Sequence, residues 1–316
     1  MEYRLLGNTG VKVSRLCMGT MTFGREADRN ASAAIFGRCR AAGINFFDCA
    51  NSYAGGESER ILGELIRDCR DDLVITTKVF NRIGTDINAG GASRRHIMAS
   101  VEASLNRLKT DRIDLYFLHH FDKEVDMEDS LRALDDLVRQ GKILYPAASN
   151  YAAWQIVKAR AISKSEGWSP FRCIQPMYNL LKRQAEVEIL PMAASEKLGV
   201  ITYGPLAGGL LTGKYMRSVS TGRFLENATY PRRYEGAQVQ ETVSRFTELA
   251  QEYGYPPAAL AAAWAGHHPA VTAPIIGARS AEQLDDSLKA LEIDMTPEMY
   301  RQIGDLSIAP PSASER

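Results

Sequence analysis

The sequence lacks a surplus of either charge, a membrane-spanning run and a secretion signal. Lys+Arg and Asp+Glu each total 38 in 316 residues. This balance argues against nucleic acid or an anionic membrane as a partner, because both favour a basic protein face. No apolar run approaches the roughly 20 residues that cross a bilayer, and the first residues lack a signal-peptide core. These absences predict a cytoplasmic protein.

Paired cysteine motifs and the common dinucleotide fingerprint are missing as well. The five cysteines are scattered without a Cys-x-x-Cys pair, which predicts free thiols. No Gly-x-Gly-x-x-Gly occurs, which disfavours a doubly wound sheet, the alternative fold. No metal site is expected, since His119 and His120 are adjacent on a predicted strand and would point to opposite faces.

Short apolar segments alternate with helical periodicity along the chain. They are mostly apolar rather than alternating, as expected for strands buried on both faces. They cover residues 16–20, 44–48, 73–78, 113–119, 143–149, 172–176, 200–203 and 271–276. Eight strands and about eight helices, without a break in composition, predict an α/β fold, the (β/α)8 TIM barrel, as a single domain over residues 1–316.

Three segments lie outside this alternation. Residues 4–16 contain two short alternating runs around the turn formers of 7–10 and predict a β-hairpin that caps the bottom of the barrel. Residues 206–236 form an unusually long, glycine-rich connection after the seventh strand, which predicts an irregular lid or clamp over a ligand. The chain from about residue 309 predicts a disordered tail.

Four chemically active side chains occur where predicted strands end. Asp48 and Tyr53 follow the second strand, Lys78 ends the third, and His119 ends the fourth. In a parallel barrel these positions converge on one face, where the active sites of such barrels lie. The constellation predicts a catalytic site, although a loop tyrosine beside a structural Lys78–Asp48 ion pair is the simpler alternative for the isolated residues.

These residues and several further motifs resemble the aldo-keto reductases over nearly the whole chain. The motifs are Gly19-Thr20-Met21-Thr22-Phe23-Gly24, Gln175-Pro176-Met177-Tyr178-Asn179, Tyr203-Gly204-Pro205-Leu206-Ala207-Gly208 and Ile275-Ile276-Gly277-Ala278-Arg279. Within the family, the bacterial sugar-reductase-like branch is the most similar, and it also resembles potassium-channel β subunits. The resemblance implies NADPH-dependent reduction of an aldehyde or ketone.

The resemblance also assigns a role to each member of the tetrad. Tyr53 is the implied general acid for the carbonyl oxygen, and Lys78 should favour its phenolate. Asp48 should keep Lys78 charged and oriented. His119 should donate to the substrate oxygen and orient it. A Schiff base on Lys78 is a weaker alternative, because it needs a neutral lysine.

The implied cofactor is NADP(H), which would lie extended across the barrel mouth. Arg279 offers a planar fork for a 2′-phosphate, and the N-terminus of the last helix suits anions, although Ser280-x-x-Gln283 is also a capping box. NADPH is therefore expected over NADH. The cofactor residues are Gly19, Thr20, Met21, Asp48, Ser149, Asn150, Gln175, Tyr203, Gly204, Pro205, Leu206, Gly208, Lys214, Ile276, Gly277, Arg279, Gln283 and Ser287.

The substrate pocket is expected to have mixed polar and apolar walls. Its predicted residues are Met21, Phe23, Tyr53, His119, His120 and Asn150. Such walls suit a small-molecule carbonyl substrate such as an aldehyde, a ketone or a keto-sugar. Gly204 and Ser287 depart from the serine and asparagine common in the family, so contacts there are open. The alternative function is a redox-sensing regulatory subunit that binds NADPH. Whether the protein forms a homo-oligomer is left open.

Overall fold

Eight parallel strands close into a barrel that a two-stranded hairpin covers at one end. The computed structural model describes residues 1–216, 222–226 and 229–314. The hairpin strands are β1 (Tyr3–Leu5) and β2 (Lys12–Ser14). The barrel strands are β3 (Cys17–Gly19), β4 (Phe46–Asp48), β5 (Val74–Val79), β6 (Ile113–Leu118), β7 (Ile143–Ser149), β8 (Cys173–Gln175), β9 (Gly199–Thr202) and β10 (Ala273–Ile276). They pair in chain order, and β10 closes the barrel against β3.

The hairpin closes the barrel floor with apolar side chains. Leu6 and Val13 are fully buried and belong to the same cluster as the inward-facing residues of the strands. Gly7, with φ of 54°, lets the turn approach β9 so closely that a Cβ atom there would lie 2.4 Å from Gly199 N. This tight contact leaves the opposite, carboxyl-terminal face of the barrel as its open mouth.

Twelve α-helices are found in the described residues, and most of them pack around the barrel. They are α1 (Arg29–Ala41), α2 (Glu57–Leu65), α3 (Arg94–Leu108), α4 (Met127–Arg139), α5 (Ala153–Glu166), α6 (Ile189–Ser195), α7 (Arg223–Glu226), α8 (Thr229–Arg233), α9 (Ala237–Glu252), α10 (Pro257–His267), α11 (Ala281–Leu288) and α12 (Pro297–Gly304). None of them is long and apolar enough to cross a bilayer.

The predicted (β/α)8 barrel and its hairpin are confirmed. The strand ends differ from prediction by at most two residues, mostly because flanking apolar residues pack into the core without joining the hydrogen-bond ladder. The long connection after β9 differs from prediction in substance. The 206–236 connection is not irregular, since its described part holds 3₁₀ turns at Ala207–Thr212 and Lys214–Met216 besides α7 and α8. Its residues 217–221 and 227–228 lie outside the described residues.

The C-terminal end differs from prediction in one respect. The helix after β10, α11, is not the last, because α12 follows it. Residues 309–314 contain no helix or strand, and the final two residues of the predicted tail lie outside the described part. Disorder of the tail and the assignment of residues 1–316 to one domain stay predictions.

A buried carboxylate joins α2, α3 and β5. Glu59 is fully buried, and it accepts hydrogen bonds from Thr77 Oγ1 and Arg107 Nε, each at 2.6 Å. An ion in the interior needs both a counter-charge and hydrogen bonds to offset its lost hydration. Glu59 therefore fixes two outer helices to the strand that carries Lys78.

Replacing Glu59 with alanine should lower the free energy of unfolding by about 3–5 kcal/mol, because Arg107 would lose its buried counter-charge. Urea unfolding at pH 7 measures this loss. Glu64→Ala on the same helix is the matched control, since Glu64 pairs with Arg29 at the surface and should contribute no more than about 1 kcal/mol. Equal losses in the two variants would contradict the role assigned to Glu59.

Candidate active site

A large cavity opens at the carboxyl-terminal ends of the strands. Its volume is about 630 Å³, within the range of pockets that hold cofactors and small ligands. The ends of β3, β4, β7, β8 and β10 all contribute to its lining, through Gly19, Asp48, Ser149, Gln175 and Ile276. The cavity thus occupies the face where parallel barrels position their active sites.

The deepest charged group at the mouth is the Lys78 ammonium, which has no solvent exposure. Its Nζ donates to Asp48 Oδ1 at 2.7 Å, to Asp48 Oδ2 at 2.6 Å and to Cys49 O at 2.6 Å. Asp48 Oδ1 also accepts from Thr76 Oγ1 at 2.6 Å and from Gln175 Nε2 at 2.8 Å. These bonds satisfy the ammonium and the carboxylate together, as a buried ion pair requires.

The Lys78 charge is therefore maintained despite burial. Burial lowers the pKa of Lys78, but the nearby Asp48 and Tyr53 outweigh it and raise that pKa above its usual value. Schiff-base chemistry needs a neutral amine, so this environment disfavours the aldolase-type alternative.

Tyr53 begins a short 3₁₀ turn just beyond β4, and Lys78 Nζ lies 5.2 Å from its ring centroid. Burial raises the pKa of Tyr53, Lys78 lowers it, and the result is about 12. Lys78 lowers the pKa of Tyr53 as expected, but burial raises it more, so the phenol ionises less readily than a free tyrosine. The size of the burial effect on this pKa could not be predicted from the sequence, because burial depends on everything packed around the ring. Tyr53 is thus a protonated acid at neutral pH.

His119 lies beside Tyr53, with the two ring centroids 6.3 Å apart. Burial, Lys78 and His120 all lower the pKa of His119, to about 2. Its imidazole is therefore neutral near pH 7, and any hydrogen bond it donates comes from a neutral N–H. His120 stacks on it with centroids 4.9 Å apart. The two adjacent histidines thus share one side of the mouth, contrary to the expected opposite faces, because His119 lies just beyond the end of β6.

A hydrogen-bonded group of polar residues from the ends of β7, β8 and β9 also lines the cavity. Asn150, with φ of 58°, donates to His119 O at 2.9 Å and accepts from Tyr203 OH at 2.8 Å. Ser149 Oγ donates to Gln175 O at 2.9 Å. These hydrogen bonds fix the Ser149 hydroxyl and the Asn150 amide, which the resemblance assigns to binding the nicotinamide carboxamide.

Arg279, which lines the cavity just beyond β10, already has a carboxylate partner. Its Nη2 donates to Glu226 Oε2 at 3.0 Å, and Glu226 belongs to α7 in the 206–236 connection. The backbone N–H of Arg279 is bonded to Gln283 Oε1 at 2.8 Å, and Ser280 Oγ accepts from Gln283 N at 3.3 Å. A capped helix start and a partly exposed guanidinium thus occur together in this part of the lining.

The structure places nearly all predicted site residues around the cavity, with two corrections. Thr20 does not line it but is fully buried, with its Oγ1 donating to Asp48 O at 3.1 Å. Phe23 does not form a substrate wall either, because the turn that bonds its N–H to Thr20 O directs it into the hydrophobic core. Lys78 lies beneath the lining, against Asp48. The tetrad roles themselves stay predictions.

Several side chains at the site were missed from the sequence, and four of them make informative contacts. Thr76 supports Asp48 from the neighbouring strand position, and its place two residues before Lys78 on the same strand face was the available signal. Asn81 contacts His119. Tyr230 and Arg233 of α8 also line the cavity. The ring of Tyr230 packs against Gly208, where a Cβ atom would lie 2.4 Å from Tyr230 Cδ1, and no sequence pattern indicates this contact.

Comparison with known proteins is consistent with this geometry. The model of the Aldo/keto reductase family matches residues 15–308. The chain belongs to the aldo/keto reductase family. It is 39% identical to an uncharacterized oxidoreductase, YrpG, of Bacillus subtilis, covering 98% of this chain and 97% of that protein. It is 35% identical to a probable voltage-gated potassium channel subunit beta of Oryza sativa, covering 100% and 99% of the two chains.

A third relative is named for its reaction. The norsolorinic acid reductase of Aspergillus flavus is 33% identical over 96% of this chain and 80% of that protein. Together with the family match, the relatives named as oxidoreductases support an oxidoreductase of the carbonyl-reducing type, and the family uses nicotinamide cofactors. The cavity fits such a group, because Lys214 and Arg279 add two cationic side chains to its lining, where the phosphates of a nicotinamide cofactor need counter-charges.

The low pKa of His119 predicts a pH effect on stability. Its folded-state pKa of about 2 lies below the ordinary 6.5, so between these values the unfolded chain binds a proton that the folded chain does not. The unfolding free energy should therefore fall as the pH falls through this window. His119→Gln should reduce that pH slope by up to about 1.4 kcal/mol per pH unit.

Urea unfolding of wild type and variant between pH 6.5 and 4 measures the slope. His267→Gln is the comparison, since His267 is exposed and its removal should change the slope less. An identical slope in wild type and His119→Gln would show that His119 titrates normally.

Proposed function

We propose that the protein reduces an aldehyde or ketone to the alcohol with NADPH, and that Asp48, Tyr53, Lys78 and His119 are the catalytic tetrad. The observation that carries the proposal is the buried Lys78–Asp48 ion pair next to a protonated phenol and a neutral imidazole at one cavity. A bound NADPH supplies the hydride. The reaction also needs a proton source, a hydrogen-bond donor to the carbonyl oxygen and a group that orients the carbonyl. This chain has a candidate side chain for each of them.

Tyr53 provides the proton. As the carbonyl carbon is reduced, its oxygen becomes basic and takes the phenolic hydrogen. The Lys78 ammonium favours the resulting phenolate, and Asp48 holds that ammonium in place through two short hydrogen bonds. His119, as a neutral N–H donor, fixes the oxygen before the proton moves and costs no reorganisation at that moment.

The cofactor is proposed to run from the tetrad to Arg279. Its carboxamide would meet Ser149, Asn150 and Gln175, and its nicotinamide ring would lie against Tyr203. The pyrophosphate would lie near Gly208 and Lys214 beneath the clamp, and Arg279 would take the 2′-phosphate. The remaining contacts come from Gly19, Met21, Gly204, Pro205, Leu206, Ile276, Gly277, Gln283 and Ser287, which line the same cavity.

The substrate is proposed to be a small aldehyde, ketone or keto-sugar. The wall near the tetrad combines Met21 with the polar His120 and Asn150, so it suits a carbonyl compound with both apolar and hydroxylated parts. A cytoplasmic location is proposed as well. Its support is the five free cysteines, which persist in reducing compartments.

A regulatory, cofactor-sensing subunit is the second candidate function. The observation in its favour is the similarity to proteins named as probable voltage-gated potassium channel subunits beta, in Oryza sativa and in Arabidopsis thaliana at 37% identity. This candidate requires tight NADPH binding, slow turnover and a stable partner or homo-oligomer. The complete tetrad favours the enzyme.

Tyr53→Phe should lower carbonyl turnover by at least about 100-fold, because general acid catalysis contributes on the order of 10²–10⁴-fold. NADPH oxidation is measured with aromatic aldehydes, dicarbonyls, and aldehyde or keto sugars, and NADPH binding by fluorescence is the control. Binding should be retained in the variant. Wild-type turnover in Tyr53→Phe would exclude the assigned acid, and tight binding without turnover in the wild type would favour the regulatory candidate.

Cofactor preference should depend on the Arg279–Glu226 pair. A 2′-phosphate must compete with Glu226 for the guanidinium, so Glu226→Gln should tighten NADPH binding several-fold, corresponding to about 1 kcal/mol for an exposed pair. Arg279→Ala should weaken NADPH binding and abolish its preference over NADH. NADH affinity should barely change in either variant, and fluorescence titration measures all of these values.

Glu235→Gln is the matched control for this experiment. It removes the same charge from the same connection, and among the described residues Glu235 makes no ion pair with Arg279. Equal affinity for the two cofactors in the wild type would contradict the proposed role of Arg279. Equal gains in NADPH affinity from Glu226→Gln and Glu235→Gln would show that the effect comes from net charge alone.

A further inference from the structure

The segment after β5 brings an amide side chain against the His119 ring. Asn81 Nδ2 lies 3.3 Å from His119 Nδ1 and 3.4 Å from Ser52 Oγ. Asn81 follows Lys78 by three positions and is partly buried. No role in the proposed tetrad uses this side chain, yet it contacts one of its members directly.

The chemistry of the amide decides which ring nitrogen carries the hydrogen. An amide nitrogen has two N–H donors and cannot accept. Its contact with Nδ1 therefore requires the ring lone pair at that position. A neutral imidazole holds one hydrogen, which is then on Nε2. Ser52 Oγ can accept the second N–H of the same amide, so both donors of Asn81 have acceptors.

We propose that Asn81 is a positioning residue that selects the Nε2–H tautomer of His119 and so creates the donor that orients the carbonyl oxygen. The functional half of this inference rests on the proposed carbonyl reduction. With the hydrogen on Nδ1 instead, Nε2 would present a lone pair, which would repel the substrate oxygen as negative charge develops on it.

No other described group can make this selection. The hydrogen bonds that reach His119 from elsewhere are to its backbone: His119 N donates to Val79 O at 2.9 Å, and Asn150 Nδ2 donates to His119 O. These bonds hold the chain but do not distinguish the ring nitrogens. His120 stacks face to face at an interplanar angle of 16°, which constrains the ring plane and not its hydrogen. Among the described residues, Asn81 is the side chain that contacts a ring nitrogen.

The tautomer can be read directly by NMR of protein labelled with ¹⁵N-histidine. The chain has five histidines, and His119→Gln identifies the His119 signals. At pH 8 the wild type should show an unprotonated Nδ1 and a protonated Nε2. In Asn81→Asp, a carboxylate that only accepts replaces the donor, and the hydrogen should move to Nδ1. Asn81→Leu, of similar size and without polar atoms, should leave the tautomers mixed.

The rate of carbonyl turnover should depend on which tautomer of His119 is present. Asn81→Asp should reduce kcat on the order of 100-fold, as for loss of one donor to the developing oxyanion, while NADPH affinity stays unchanged. Asn81→Leu should lie between this variant and wild type. Asn88→Asp is the control, because it adds the same charge to the same connection at an exposed side chain, and it should alter neither the tautomer nor kcat.

Two results would overturn the proposal. One is a wild-type spectrum with the hydrogen on Nδ1, and the other is an Asn81→Asp variant that keeps the wild-type tautomer. The spectra need neither substrate nor cofactor. If the wild type has the expected tautomer and Asn81→Asp changes it, but the wild type shows no carbonyl turnover, the proposed function is contradicted while the tautomer selection by Asn81 is upheld.

Discussion

The buried Lys78–Asp48 ion pair is the interaction on which the barrel mouth depends. An ammonium without solvent exposure would cost several kcal/mol if it were left uncompensated. Both Asp48 oxygens and Cys49 O accept from it, and Thr76 and Gln175 complete the bonds to the carboxylate. Because these groups come from β4, β5 and β8, the same contacts that satisfy the charge also fix the strand ends relative to one another.

One cation lowers the pKa of two neighbouring groups, against the effect of burial in one and together with it in the other. Lys78 partly offsets the rise that burial causes in the pKa of Tyr53, and it adds to the fall that burial causes in the pKa of His119. Burial therefore keeps the phenol protonated at neutral pH despite Lys78, and burial and Lys78 together keep the imidazole uncharged. An acid and a neutral donor at one oxygen can act in sequence without competing for the same proton.

Much of this arrangement could be predicted from the sequence, because its physical basis is local. Strands buried on both faces are continuous apolar runs, and polar residues at the ends of parallel strands must converge. What could not be predicted depends on three-dimensional packing. Phe23 follows a turn that directs it into the core, Arg279 is paired with a glutamate 53 residues away, and the pKa of Tyr53 depends on total burial rather than on Lys78 alone.

The two ends of the cavity differ in how firmly their charges are held. Lys78 and Asp48 have almost no solvent exposure, whereas the side chains of Arg279 and Glu226 are 33% and 48% exposed. An exposed pair contributes little and can exchange partners at small cost, while a buried pair cannot. In the proposed function, a phosphate enters and leaves at Arg279, which requires exchange of partners, and a proton moves at the tetrad, which requires rigidity. Because Glu226 belongs to the long connection, occupation of Arg279 by a phosphate would also release a contact of the clamp. In the proposed binding mode, the rate of cofactor release, on which an enzyme and a sensor would differ, would depend on the Arg279–Glu226 pair rather than on the tetrad.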